Sequence, residues 1–287
     1  MEKLTKKLRN LLIEKSELDA GLFDRLYKSI LQEAIQGRLV PQIESEGTAD
    51  ELLEEIRAEK KRLVKEGKLK ASALKDESRI FKGEDNKYHQ NINGEDSIIE
   101  DMLPFEIPST WRWVSLGELV SDRTGLSYKK ESLSDLTKPL IRVLRGGNID
   151  DGEIKINVDD VMISSSYVAS DLLLKKGTYI SPAVSSLEKI GKTAFIERDY
   201  DDTVVGGFVL MLLPLFNDEC LGRYLYFFFQ TGYYHNYCRT ITKKSGQAFY
   251  NLSRPKLKLC PVPLPPKKEI PCIVEKLNIV LASIMSR

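Results

Sequence analysis

The residues of this sequence that most resemble a catalytic pair are Glu153 and Lys155, which flank Ile154. On a β-strand, residues two apart lie on the same face, so the pair would present a carboxylate and an amine together. A metal-dependent nuclease needs such a pair and a second carboxylate, for which Asp135 and Asp150 are candidates. Residues 153–158 also alternate polar and apolar side chains as any exposed hairpin strand does, so the nuclease is the alternative hypothesis and not the leading one.

A second group of residues indicates binding to a polyanion. Residues 239–268 contain eight Lys and Arg and no Asp or Glu, although the formal net charge of the whole chain is only +1. Such clustering is typical of a nucleic-acid surface, and a solvated basic face is the other interpretation. We predict that this tract and the loops after Leu144 and Ala183 face DNA. The residues expected to do so are Arg145, Asn148, Lys189, Lys192, Lys243, Lys244 and Gln247, of which Arg and Gln can pair bidentately with guanine and adenine.

Motifs for cofactors are absent from the sequence. No Gly-x-Gly-x-x-Gly follows a strand, and neither a phosphate-binding Gly-x-x-x-x-Gly-Lys-Ser/Thr nor an Asn-Pro-Pro-aromatic methyltransferase motif occurs. Four widely spaced cysteines and two histidines do not predict a zinc site, and they favour a reducing, cytoplasmic setting. No apolar run approaches the roughly twenty residues of a membrane span, and the charged amino terminus does not resemble a secretory signal.

A long amino-terminal helix is the first element that would position the basic residues. Its apolar residues follow the four-and-three spacing of a coiled-coil seam, which predicts self-association. The seam residues are Leu4, Leu8, Leu11, Leu18 and Leu22. From Leu22 to Ala34 the steps are all four, as in a stutter, and Gly37 followed by Pro41 ends the helix. A helix of a globular core is the other interpretation of this pattern.

The rest of the chain predicts an α+β protein, in which one mixed α/β domain is flanked by long coiled-coil-type spacer helices. A capping box at Thr48 and Glu51 starts a second helix, which Gly67 ends. We therefore expect a helical spacer region at 1–67, a polar linker or surface-bound segment at 68–103, the domain at 104–266 and a short distal spacer helix at 267–287. Within the domain, strands are predicted at 140–144, 153–158, 178–180, 192–196 and 203–213, and a helix at 220–241.

Several segments of the chain resemble the specificity subunit of type I restriction-modification systems. They follow the family's order and cover nearly the whole chain: LYKSILQEAIQGRLVPQ, ELLEEIRAEKKRLVKEGK, PFEIPSTWRWVSLGEL, RGGNIDDGEI, LKKGTYISPAVSSLEKIGKTAFIE, SGQAFYNLS and PVPLPPKKE. The first, second and penultimate are the most specific.

The resemblance implies a non-catalytic DNA sequence-recognition subunit with a target-recognition domain at about 104–266. By that resemblance the chain would bind one half-site of a bipartite double-stranded target and dock methyltransferase (modification) and restriction subunits. S-adenosylmethionine, ATP and Mg would then be held by those partner subunits, and this chain would hold no cofactor. A full subunit of the family has two recognition domains, so a half-length subunit or a carboxy-terminal half is expected, acting as a homodimer or paired with another half-subunit.

Overall fold

The structure is a computed structural model that describes residues 21–43, 45, 47–74, 78–133, 137–246 and 248–285. Its α-helices are α1 (21–35), α2 (Ala49–Lys65), α3 (Leu116–Leu119), α4 (Glu219–Phe229), α5 (Gly232–Thr240), α6 (Arg254–Lys258) and α7 (Glu269–Met285). Its strands are β1 (Ser78–Lys82), β2 (Tyr88–Ile92), β3 (Glu95–Ile98), β4 (Arg112–Ser115), β5 (Val120–Thr124), β6 (Leu140–Leu144), β7 (Val161–Ser164), β8 (Tyr179–Pro182), β9 (Val184–Ser185), β10 (Ala194–Phe195), β11 (Thr203–Val205), β12 (Val209–Pro214), β13 (Thr242–Ser245), β14 (Phe249–Leu252) and β15 (Pro261–Leu264).

The strands form small sheets, which agrees with the predicted α+β class. Four antiparallel strands lie in the order β10-β8-β12-β5, and a second sheet has the order β11-β6-β7 with β11 parallel to β6. The strands β13, β14 and β9 make a third sheet, and β15 pairs with β4. In the first sheet β8, β10 and most of β12 are buried, as expected of strands that are covered on both faces.

The main hydrophobic core forms around the aromatic helix α4. Tyr224, Phe228 and Phe229 are at most 1% exposed, so the aromatic side chains of this helix belong to the core and are not available to stack on bases. Residues of α1, α2 and α7 pack into the same cluster, including Leu31 of α1 and Leu277 of α7, both with no exposed surface. Helices on both sides of the predicted domain are therefore built into its core.

Long coiled-coil spacer helices are not evident in the part of the chain that the structure describes. Both α2 and α7 have 17 residues, and both pack against the domain. The seam residues Leu4, Leu8, Leu11 and Leu18 lie outside the described residues, whereas Leu22 is described and is 55% exposed.

The chain enters and leaves the domain at neighbouring points. The side-chain amide of Gln42, just after α1, donates to Glu269 Oε1 at 2.6 Å, and Glu269 opens α7. The end of α1 also lies against the domain, since a Cβ atom on Gly37 would collide with the ring of Pro108. Gly37 has a positive φ of 69°, so glycine suits this position both by conformation and by size.

The predicted polar linker at 68–103 contains a three-stranded antiparallel meander, β1-β2-β3. Asn93 and Gly94 form the turn between β2 and β3 with φ values of 55° and 92°, which is the turn geometry that an Asn-Gly pair favours. Hydrogen bonds fix the meander to the domain. The Ser115 hydroxyl lies 2.8 Å from the Ser78 hydroxyl and accepts from the Gln90 amide at 2.9 Å. The meander therefore packs along the surface of the domain.

Three predicted elements of the domain differ from those observed. Residues 153–158 form no strand, and only Ile154 makes an isolated bridge, to Ile149. The predicted strand at 203–213 is divided into β11 and β12 at Gly206 and Gly207. The predicted helix at 220–241 is divided into α4 and α5 because the Thr231 hydroxyl accepts a hydrogen bond from the Tyr234 amide and caps a new helix.

No helix within the described ranges combines the length and the apolar character that crossing a bilayer requires.

Candidate nucleic-acid interface

Three segments that the sequence predicted to face DNA meet in the folded chain. The hairpin of β13 and β14 places Lys244 opposite Tyr250, and Tyr250 in turn pairs with Ser185 of β9. The loop after β9 reaches the loop after β6 through Lys189, whose Nζ donates to the carbonyl of Gly147 at 3.2 Å. The fold thus gathers the loops that carry Arg145, Lys189 and the lysine pair Lys243 and Lys244 around one sheet.

Several cations of this group are accessible. The residues Arg145, Lys243 and Lys244 are exposed, and Lys189 is partly exposed. Because successive residues of a strand point to opposite faces, Lys243 and Lys244 spread positive charge over both faces of the hairpin. Gln247 lies outside the described residues.

Asn148 does not take part in this surface, contrary to the prediction. Its side chain is buried, and its Oδ1 accepts from the backbone amide of Arg145 at 2.8 Å. Its Nδ2 donates to the carbonyl of Lys155 at 2.9 Å and to Asp160 Oδ1 at 2.5 Å. Both ends of the amide are therefore used to fix the loop that carries Arg145.

Lys192 is also occupied within the chain. It forms an ion pair with Asp150, whose other carboxylate oxygen binds Lys155 Nζ at 2.6 Å. Hydrogen bonds from Lys155 and then from Lys192 hold the pKa of Asp150 well below its ordinary value. The prediction that Lys192 is free to face DNA therefore has to be corrected, because an anion shared with Lys155 already neutralises part of its charge.

The arrangement of Glu153 and Lys155 does not form a nuclease centre. These residues are not on a strand, and the amine of Lys155 is bound to Asp150. The described residues contain no group of three or more His, Cys, Asp or Glu that could hold a metal ion. Asp135, the other candidate carboxylate, lies outside the described residues.

The predicted basic tract at 239–268 does not act as one surface. Arg254 binds Asp122 on β5, with its Nε 2.7 Å from Oδ2, and Lys267 pairs with Glu55 on α2 at 2.5 Å. Cations with no acidic neighbour in the sequence are thus paired with carboxylates in the folded chain. Of the basic tract, Lys243 and Lys244 lie beside the predicted loops.

A cleft of about 530 Å³ lies where these loops meet, and its lining includes residues that sequence reasoning missed. Beside Arg145, the walls carry the aromatic side chains of Tyr128, Phe208 and Phe249. Phe208 and Phe249 are 73% and 58% exposed, which is unusual for phenylalanine. The only signals in the sequence are the Gly206-Gly207 pair before Phe208 and the hairpin segment around Phe249.

Comparisons with known proteins find relatives over part of the chain. The chain is 32% identical over 154 residues to the type I restriction enzyme EcoAI specificity subunit of Escherichia coli, and the aligned region covers 52% of this chain and 22% of that protein. It is 22% identical over 244 residues to the EcoEI specificity subunit of Escherichia coli, and this alignment covers 85% of this chain and 38% of that protein. The HsdS subunit from Thermoanaerobacter tengcongensis is a structural neighbour, with a TM-score of 0.44, 19% identity and coverage of 64% of this chain and 40% of that one.

No protein-family model matches the chain. The two curated relatives confirm the resemblance to type I specificity subunits, and the chain spans well under half of the length of each.

Proposed function

We propose that this chain, a relative of type I restriction enzyme specificity subunits, is a non-catalytic component that recognises a DNA sequence and binds one half-site of a bipartite target. The observation that carries the proposal is the convergence of three loops at one cleft. Exposed Arg145 lines this cleft beside the exposed rings of Phe208 and Phe249. Exposed Lys243 and Lys244 lie on β13, which pairs with the strand that begins at Phe249. Phosphate contacts by Lys give affinity and fix the register, and Arg at a base edge gives specificity.

The helices are the proposed docking surface for other subunits. The described part of α1 exposes Leu22, Phe23 and Leu26, at 55%, 37% and 43%. Apolar side chains in such a row favour contact with another helix. We propose that this end of the chain pairs with a second copy or a second specificity half-subunit. Methyltransferase and restriction subunits, which would hold S-adenosylmethionine, ATP and Mg, would dock on the same helical part.

The proposal is tested by selecting bound duplexes from a random pool and measuring affinity for the selected duplex over a series of salt concentrations. Replacing Lys243 and Lys244 with Ala should reduce the slope of log affinity against log salt by about 0.9 for each phosphate that the variant no longer neutralises. The matched control is Lys267→Ala with Lys268→Ala, which removes the same charge beside α2. Failure to enrich any duplex, or equal slopes for the two double variants, would show that the hairpin is not a DNA surface.

A further inference from the structure

We infer that the cleft reads bases from the major groove, with Arg145 on a guanine and with Phe208 and Phe249 on the methyl groups of nearby thymines. The inference rests on the proposed function and specifies the bases that the site takes. Arg pairs bidentately with guanine O6 and N7, and apolar side chains such as Phe contact the thymine methyl group. The half-site should therefore combine G·C with T·A pairs.

The exposure of the two phenylalanines is the first observation behind this inference. Phe208 and Phe249 are 73% and 58% exposed, and both line the same cleft as Arg145. The described lining contains no Asp or Glu. The apolar rings of the cleft match the methyl groups of thymines, and Arg145, the single cation of its described lining, matches the acceptor atoms of a guanine.

The backbone fixes both phenylalanine segments beside β9. The carbonyl of Phe208 accepts from the amides of Ala183 at 2.9 Å and Val184 at 3.3 Å, and Val184 pairs with Asn251 of β14. Phe208 and β14, which begins at Phe249, are therefore both hydrogen-bonded to the backbone at β9.

The backbone of Arg145 is fixed, whereas its guanidinium group is free to bind a ligand. Its backbone amide is bonded to buried Asn148, whereas no hydrogen-bond partner of its guanidinium is found among the described residues. The next two residues, Gly146 and Gly147, have no Cβ, and Gly146 lies near Pro182 of β8 and Ser185 of β9. The backbone of Arg145 is therefore held next to β9, to which both phenylalanine segments are bonded.

The test uses the full chain, the selected duplex and two single-atom probes. Replacing thymine with uracil removes only the methyl group, and should weaken binding about fourfold at a contacted thymine, the value of one buried methyl-sized group. Replacing guanine with 7-deazaguanine removes N7 and should weaken binding about tenfold if Arg145 bonds to it. Each probe should have no further effect in the matching variant, Phe208→Ala or Phe249→Ala for uracil and Arg145→Ala for 7-deazaguanine.

Phe81→Ala is the matched control, since Phe81 is also exposed, at 42%, but lies on β1 of the meander. It should leave both probe effects intact. If the phenylalanines act as wedges between base steps from the minor groove, Phe249→Ala weakens binding while uracil has no effect, which would overturn the inference. A selected half-site made only of G·C pairs or only of A·T pairs would also overturn it. Either result would leave the proposed DNA binding in place and contradict only the inference about bases. If the chain binds no DNA at all, the proposed function and the inference are both wrong.

Discussion

The indole N–H of Trp111 donates to Glu269 Oε2 at 2.8 Å, across 158 residues of sequence. Both side chains are buried, and the second oxygen of the same carboxylate accepts from Gln42 at 2.6 Å. One buried acid thus joins the end of α1, the start of the domain and the first turn of α7. A carboxylate in the first turn of a helix is also favourably placed in the field of the helix dipole.

Glu269→Ala should lower the free energy of unfolding by about 2 to 3 kcal/mol, because it leaves the buried Trp111 donor without an acceptor. Glu269→Gln keeps one acceptor oxygen and should lose about half as much. Denaturant unfolding measures both. Glu275→Ala, an exposed acid in the same helix, is the control and should be nearly neutral. Equal stability of Glu269→Ala and Glu275→Ala would mean that the Trp111 contact does not hold the helix.

Asp150→Asn should strengthen non-specific binding to DNA, because it releases the amines of Lys155 and Lys192 from their ion pairs. The slope of log affinity against log salt should become steeper by about 0.9 for each lysine that then contacts a phosphate. Salt titrations on an unrelated duplex measure this. Asp151→Asn removes the same charge from the next residue, which lies beside His235 and forms no ion pair with a lysine of the described ranges. It should change the slope less, and an identical change in both variants would indicate a general charge effect.

Asp150 should also make stability depend on pH. The two lysines hold its pKa below the ordinary value of 3.8, so the unfolded chain takes up this proton at a higher pH than the folded chain does. The stability that Asp150 contributes is therefore present above about pH 4 and is lost as the pH falls through the folded pKa. Urea unfolding midpoints between pH 6 and pH 3 should fall less steeply for Asp150→Asn. A parallel decline in the two proteins would contradict this.

Replacing Leu11 and Leu18 with Glu should convert a dimer of the chain into a monomer, because it places charges in the predicted seam. Light scattering measures the mass. Asn10→Glu with Ser16→Glu adds the same charge at positions outside the four-and-three spacing and should leave the dimer intact. A monomeric unmodified chain would show that the seam is not used for self-association.

Elements with a strong local pattern were predicted closely. The strand at 140–144 has the observed bounds, and α7 begins two residues into the predicted distal helix. The meander was missed because its strands are short and mostly polar, although Asn93-Gly94 is a strong hairpin signal. The predicted strand at 153–158 is not formed because the side chains of Asn148 and Asp160 bind backbone groups of this segment, which are therefore used in a loop.

The candidate site was predicted in outline and missed in detail. The choice of loops rested on local charge, and the structure brings those loops together. Which lysines are neutralised depends on carboxylates that are distant in sequence, as with Lys267 and Glu55, and no local pattern reports such pairs. Phe208 and Phe249 were missed because an aromatic residue in a strand-like segment is normally expected in a core.

The hydrogen bond between Gln42 and Glu269 bears on how the sequence of such a chain can diverge. Residues 43–268 begin just after α1 and end just before α7, at two points that are in contact. Because its two ends meet, this interval can be replaced by one of different size or surface without altering the spacing of the helices on either side, provided that the core residues packed against Leu31 and Leu277 are kept. Under the proposed function, such a substitution would change the DNA preference while the helices on either side, and whatever binds to them, stay the same.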